Sequence, residues 1–248
     1  MDLCHRLSAL INCQRIALLI PACNEAESLP KVLSAWPHSV DRLIVIDNGS
    51  TDGTARIARD FGAEVVHEPR HGYGSACLRG LARLALDPPD IVAFADADGS
   101  DDLACLEPII DPIAENRADF VLSRRVPTTP RALTPQQRFG NWLATRLIRV
   151  IWDGPYRDLG PMRAVRWRHL VDFKMRDPDY GWTVEMQIRA LHRKCRIQEV
   201  AVPYRPRVAG RSQVSGTLAG VFGAGVKILW IIGREALEQP RRHRRRKN

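Results

Sequence analysis

Four short apolar runs constrain this chain most: residues 16–20, 43–46, 63–66 and 91–95. Each is too short for a typical helix and is bounded by Pro, Gly, Asn or Asp. Between them lie stretches with helical spacing. Residues 29–36 follow Ser28 as a cap, 54–61 stop at Gly62, and 75–86 follow Gly72-Tyr73-Gly74. A proline-broken helix over 103–115 and a fifth strand over 119–123 come next. Such runs read as strands buried on both faces. The alternation predicts an α/β fold: a Rossmann-like, doubly wound, mostly parallel sheet flanked by helices.

In such sheets ligands bind beyond the carboxyl ends of the strands, where strand order reverses. With a strand order of 3-2-1-4, three polar clusters converge at that edge. They are Pro21-Ala22-Cys23-Asn24-Glu25, Asp47-Asn48-Gly49-Ser50 and Asp96-Ala97-Asp98. Alone, Asp96-Ala97-Asp98 reads first as a solvated acidic turn. At the end of a buried strand, two carboxylates one residue apart repel unless a proton or cation joins them. Hard oxygen ligands there suit Mg²⁺ or Mn²⁺, which also hold phosphates. No Gly-x-Gly-x-x-Gly follows the first strand, and no Walker lysine loop is present. An acidic edge binds phosphate only through a metal, but can hydrogen-bond ribose hydroxyls and base N–H groups directly. A nucleoside diphosphate with a divalent ion meets both conditions.

Charge is unevenly placed. Of a net +9, six positive charges lie in residues 241–247, leaving three for residues 1–240. The body therefore lacks the basic face of a nucleic-acid binder, and no nucleic-acid partner is expected. The six cysteines show no metal-ligand or redox spacing. With no secretory signal evident at the start, a reducing cytoplasm is the expected compartment.

The motifs resemble glycosyltransferase family 2 of the GT-A fold, nearest the polyprenyl-phosphate (dolichol-phosphate) hexosyltransferases. The resemblance rests on Ile20-Pro21-Ala22-Cys23-Asn24-Glu25-Ala26, on the segment from Val45 to Thr54, and on Asp96-Ala97-Asp98-Gly99-Ser100. The segments 158–164, 181–187 and 207–212 are similar to its acceptor side. The resemblance implies a domain over residues 1–215. It implies a nucleotide-sugar pocket from Pro21, Ala22, Asn24, Glu25, Asp47, Gly49, Asp96 and Ala97. Asp98, with Asp96 beside it, would hold the Mg²⁺ or Mn²⁺. The donor would be a UDP- or GDP-linked hexose, transferred with inversion. Two positions depart from the pattern: Gln213 stands where the basic loop often has lysine, and Ser100 where some relatives have glutamine.

The acceptor decides whether a base is needed. A hydroxyl must lose a proton, and Glu185 or Asp158 would take it. A lipid phosphate is already anionic and needs only positioning, which arginine does well. Arg124, Arg125, Arg207 and Arg211 lie where such a site would be, favouring a polyprenyl phosphate. Each also has an ordinary reading: Glu185 as a surface carboxylate of a helix, Arg125 as a solvated side chain, Trp182 as a packed aromatic rather than an acceptor contact. Residues 218–233 are apolar but too short to span a bilayer. They are expected to pack on the core or to lie at a membrane interface, with 241–248 as a disordered basic tail. Residues 127–152 are expected to form an acceptor loop and an amphipathic helix near the same surface. Peripheral contact with the inner face of a membrane follows. A transferase, retaining or inverting, to a small soluble or saccharide hydroxyl is the enzymatic alternative. A nucleotidyltransferase would want a basic loop after the first strand, and no Lys or Arg precedes Lys31 there. A nucleic-acid or membrane-binding protein would explain the tail but not the acidic loops.

Overall fold

The computed structural model describes residues 14–208 and 218–238. A seven-stranded sheet runs in the order β3-β2-β1-β4-β6-β5-β7. Its first half is the anticipated one: β1 (Ile16–Ala22), β2 (Arg42–Asp47), β3 (Glu64–His67) and β4 (Ile91–Phe94), all parallel. β1 lies third in the sheet, paired to β2 on one side and β4 on the other. That is the strand-order reversal at which a crevice opens.

The second half departs from a simple parallel count. β6 (Arg163–Arg166) is inserted between β4 and β5 (Phe120–Pro127) and runs antiparallel to both. β7 (Ile197–Tyr204) then adds parallel to β5 at the edge. Neither β6 nor β7 carries a long apolar run, so only tertiary pairing makes them strands.

The period-2 geometry of strands divides the core in two. Leu18, Ile20 and Val45 point to one face, meeting α1 (Leu29–Leu33), α2 (Thr54–Asp60) and α4 (Glu107–Ala114). Leu19, Ile44, Ile46 and Phe94 point to the other. There they meet α3 (Tyr73–Leu84), α5 (Pro135–Trp152), α6 (Trp167–Phe173), α7 (Trp182–His192) and α8 (Leu218–Glu238). Every residue of β4 is buried, as an apolar strand covered on both sides must be.

Several boundaries move for local reasons. Ser28 does not cap α1 through a backbone N–H; its hydroxyl donates to the Glu25 carboxylate at 2.6 Å. The proline-broken helix is a 3₁₀ turn, Leu103–Cys105, followed by α4; Asp102 caps the turn by accepting the N–H of Ala104. α3 starts at Tyr73, because Gly72 takes φ +138°, a conformation L side chains rarely adopt. The segment 218–238 is one helix whose Ile231 and Ile232 are buried in the second core. Among the described residues no helix is long and apolar enough to cross a membrane.

Candidate active site

A cleft of about 400 Å³ opens at the carboxyl ends of β1 and β4. Pro21, Ala22, Cys23 and Glu25 form one wall; Asp96, Ala97 and Asp98 form its floor. Gly72 and Tyr73 at the start of α3 face them, with His71 before them and Asn48 behind. Arg125 of β5, Leu159 and Pro161 before β6, and Tyr204 and Arg207 from β7 onward complete it.

Backbone hydrogen bonds place the acidic floor. The carbonyl of Asp98 accepts the N–H of Val208 at 3.0 Å, and that of Ser100 accepts the N–H of Arg205 at 3.0 Å. Gly99 takes φ +74°, and a side chain there would meet Val208. This stitching brings Arg207 over the acids. Its guanidinium lies 2.7 Å from a Glu25 oxygen and 3.2 Å from an Asp98 oxygen. One cation thus bridges the loop after β1 and the loop after β4, residues far apart in sequence.

The floor is electrostatically loaded. Burial, then the neighbouring Asp98 carboxylate, pushes the Asp96 carboxyl well above the usual carboxylate range. Burial, reinforced by Asp96 and Asp98, does the same to Asp101. One carboxylate oxygen of Asp96 and one of Asp101 are buried with no hydrogen-bond partner. Orphaned carboxylate oxygens beside a phosphate-sized cleft are what a hard divalent ion satisfies, with substrate oxygens and water filling its shell. Among the described residues no three His, Cys, Asp or Glu side chains form a complete protein-only cage. The donor set is compatible with a metal carried jointly with a diphosphate, which Asp98 with Asp96 would hold.

The loop after β2 reaches the cleft through Asn48 and is otherwise framework. Asp47 accepts the N–H of Ser50 at 3.0 Å and lies 3.3 Å from His67 Nδ1, so it turns back from the cleft. Its neighbour Asn48 reaches the site instead, donating to the carbonyls of Glu68 and Arg70 and accepting the N–H of Gly72. Asn24 stands at φ +56°, accepting the N–H of Thr51 at 2.8 Å. Gly49, at φ +76°, leaves room for the His71 ring, which a Cβ would strike. These residues tie the loops after β1 and β2 together and set the shape of that wall of the cleft.

The expected bases are placed differently. Glu185 is fully buried and away from the cleft lining. Its carboxylate meets Arg189 at 2.9 Å and Arg234 at 2.7 Å, and accepts the N–H groups of Arg176 and Asp177. Asp158 is 5% exposed and grips Arg125 through both oxygens at 2.7 and 2.9 Å. As placed, neither is positioned to take an acceptor's proton. Trp182 is 1% exposed, packed against Phe94 with ring centroids 6.4 Å apart, and so is core rather than acceptor contact. Of the two neighbouring arginines, Arg125 lines the cleft, stacked over Tyr204 at 5.2 Å, while Arg124 does not line it. Strand alternation decides which of the pair faces the site, and the sequence pair alone does not reveal the phase. Arg211 and Gln213 lie outside the described residues.

The cleft's far wall rests on glycines that spacing alone did not mark. A Cβ at Gly74 would collide with the carbonyl oxygen of Asp177, and the N–H of Ser75 donates to the Pro178 carbonyl at 2.7 Å. Asp179 and Tyr180 of that same segment line the cleft. Gly74→Ala should lower stability by about 1–3 kcal/mol through overpacking, read as a shifted urea midpoint. An unchanged midpoint would show that the wall relaxes freely. Arg163, 1% exposed, holds the opposite wall by donating to the carbonyls of Leu159, Gly160, Pro161 and Thr183.

Comparison with known proteins agrees with this arrangement. The family model described as glycosyl transferase family 2 matches residues 17–171. An uncharacterized glycosyltransferase of Mycobacterium tuberculosis is 40% identical over 205 residues, covering 83% of this chain and 92% of that one. The undecaprenyl-phosphate mannosyltransferase of Micrococcus luteus is 31% identical over 221 residues, covering 83% and 90%. The dolichyl-phosphate hexose transferase of Haloferax volcanii is 30% identical over 229 residues, covering 90% and 96%. In fold, the chain is similar to glucosyl-3-phosphoglycerate synthase from Mycobacterium tuberculosis, solved with Mn²⁺, UDP and phosphoglyceric acid. The TM-score is 0.73 at 23% identity, over 92% of this chain and 80% of that one. The sheet is a GT-A sheet, and the chain belongs to glycosyl transferase family 2.

Proposed function

We propose that this enzyme moves a hexose, with inversion, from a nucleotide-diphosphate sugar to a polyprenyl phosphate. The carrying observation is that two arginines, Arg125 and Arg207, share one cleft with the Asp96–Asp98 floor, while both candidate bases are engaged in ion pairs. A phosphate acceptor needs no deprotonation; it needs a fixed cation, and Asp158 fixes Arg125 in a bidentate grip. Two relatives with polyprenyl-phosphate names support the same acceptor class.

In this reading the wall from Pro21 to Glu25, with Asn48 and His71, receives the nucleoside. Asp98 and Asp96 hold Mg²⁺ or Mn²⁺ with the diphosphate. When bound, that ion supplies Lewis-acid stabilisation of the charge developing on the leaving group. Arg207, which pairs with Glu25 and Asp98 at the cleft floor, would be the cation nearest the substrate phosphates. Tyr180 and Asp179 close the sugar side of the cleft. The acceptor class places the enzyme at the inner face of a membrane.

The test has two arms. A thermal-shift screen of UDP- and GDP-linked hexoses with Mn²⁺ should give one donor that stabilises the protein, by about 2.7 kcal/mol at 100 times its Kd. The shift should vanish in chelator. Transfer from that donor should then go to a short-chain polyprenyl phosphate and not to the free polyprenol. Transfer to the alcohol or to a sugar hydroxyl would assign the other acceptor class, and a retained anomeric configuration would overturn inversion.

A further inference from the structure

The outer faces of α5 and α8 form one surface that the catalytic reading leaves unused. They enclose an apolar groove of about 560 Å³, lined by Phe139, Leu143 and Ala144 on one side and Val226, Ile228 and Leu229 on the other. Phe139 is 62% exposed and Trp142 59%, their rings 5.9 Å apart; Trp230, beside Leu229, is 54% exposed. Scattered exposed apolar residues need no explanation, but these gather along one groove between two helices.

On the α5 side of the groove the charge is one-sided. The helix α5 carries Arg138, Arg146 and Arg149, all exposed, and no Asp or Glu. Arg138 and Arg146 stand one turn on either side of Trp142, on the same stripe of the helix. On α8, Lys227 and Arg234 lie 5.4 and 4.9 Å from the Trp230 ring, which fixes that ring at the surface. The inner side of α8 is anchored: Glu235 pairs with Arg189 at 3.0 Å, and Lys227 pairs with Asp177 and Asp179 at 3.1 Å. The helix is therefore a fixed part of the body with an apolar outer face. Beyond Glu238 the sequence adds six positive charges in residues 241–247.

We propose that the α5–α8 face is a docking surface for an anionic lipid bilayer. Aromatic and aliphatic side chains flanked by arginine match an interface with acyl chains below and phosphate headgroups around them. A second copy of the chain fits poorly, because it would set two arginine-rich α5 faces against each other. The inference deepens the polyprenyl-phosphate reading and rests on it only for the purpose of docking. Gln137 of α5 lines the cleft while Pro135 and Gln136 line the groove, so a bilayer here meets the cleft mouth.

The full-length protein should be floated with vesicles of phosphatidylcholine, alone or with phosphatidylglycerol. It should bind the anionic vesicles and release them as salt rises. The double variants Phe139→Ser/Trp142→Ser and Arg138→Gln/Arg146→Gln should each bind roughly tenfold more weakly. Brominated lipid should quench the wild-type tryptophan fluorescence, which reports insertion without any variant. Both variants should keep the wild-type donor thermal shift. Absence of that shift in every form would sink the enzymatic reading and leave the vesicle result standing. The docking proposal is overturned if wild type ignores anionic vesicles, or if both double variants bind like wild type, which would assign binding to the basic tail alone. A dimer in sedimentation velocity that dissociates in Phe139→Ser/Trp142→Ser would assign the face to a second copy instead.

Discussion

Asp98→Ala should abolish hexose transfer while leaving the protein folded. The carboxylate sits at the cleft floor with one oxygen turned to Arg207 and the other accepting the N–H of Ser100 at 2.8 Å. Losing that second bond costs about 1 kcal/mol, too little to unfold a domain of this size. Losing the metal costs much more. If Lewis-acid stabilisation of the leaving diphosphate is worth about 4 kcal/mol, the rate falls about a thousandfold. The variant should also lose the Mn²⁺-dependent part of donor binding, measured by calorimetry with and without chelator. Arg207 would keep its contact with Glu25, so the cleft wall should stay in place. A variant that transfers hexose within tenfold of wild type, or that loses its cooperative melting transition, would show that Asp98 is framework and not the metal's ligand.

How much of this was readable in the chain depends on what each residue answers to. β1, β2 and β4 were legible because parallel strands buried on both faces must be apolar through their middles, while β3 at the sheet edge showed only Val65-Val66 after Gly62. The crevice followed from them, since Pro21, Glu25 and Asp98 sit at strand ends whatever the loops do. β6 and β7 were not legible. Arg163 heads β6, and a buried arginine looks polar in sequence although four carbonyls receive it here. That Asn48 and not Asp47 reaches the cleft has a related reason: an Asx residue can face a ligand or fold onto its own turn, and only the path of residues 67–72 decides. Arg125 instead of Arg124 is a question of strand phase, fixed by pairing with β7. The sequence marks which residue types gather at an edge; the long-range contacts select among neighbours.

Glu185 is where a local motif and the tertiary structure disagree most, and its removal should show it. A catalytic base would be dispensable for folding, so Glu185→Ala would then melt like wild type and fail to turn over. The observed network predicts the opposite. Glu185 stands between Arg189 and Arg234, shares both with Glu235, and holds the N–H groups of Arg176 and Asp177 at 3.1 and 2.9 Å. Without it, two arginines must share one carboxylate, and two backbone donors lose their acceptor. Removing one partner of a buried ion pair costs about 3–5 kcal/mol. For a chain of this length that is a drop in Tm of roughly 6–20 °C. Glu185→Gln should recover part of the loss, because an amide oxygen can still accept the two N–H groups while the charge is gone. Below its melting point each variant should retain turnover within about tenfold of wild type per folded molecule, equivalent to about 1.4 kcal/mol of barrier. The turn at 176–177 leads directly into Asp179 and Tyr180 of the cleft wall, so what loss remains should fall on substrate KM rather than on kcat. A Glu185→Gln enzyme with wild-type Tm and turnover reduced a thousandfold would restore the catalytic role that the ion pairs argue against.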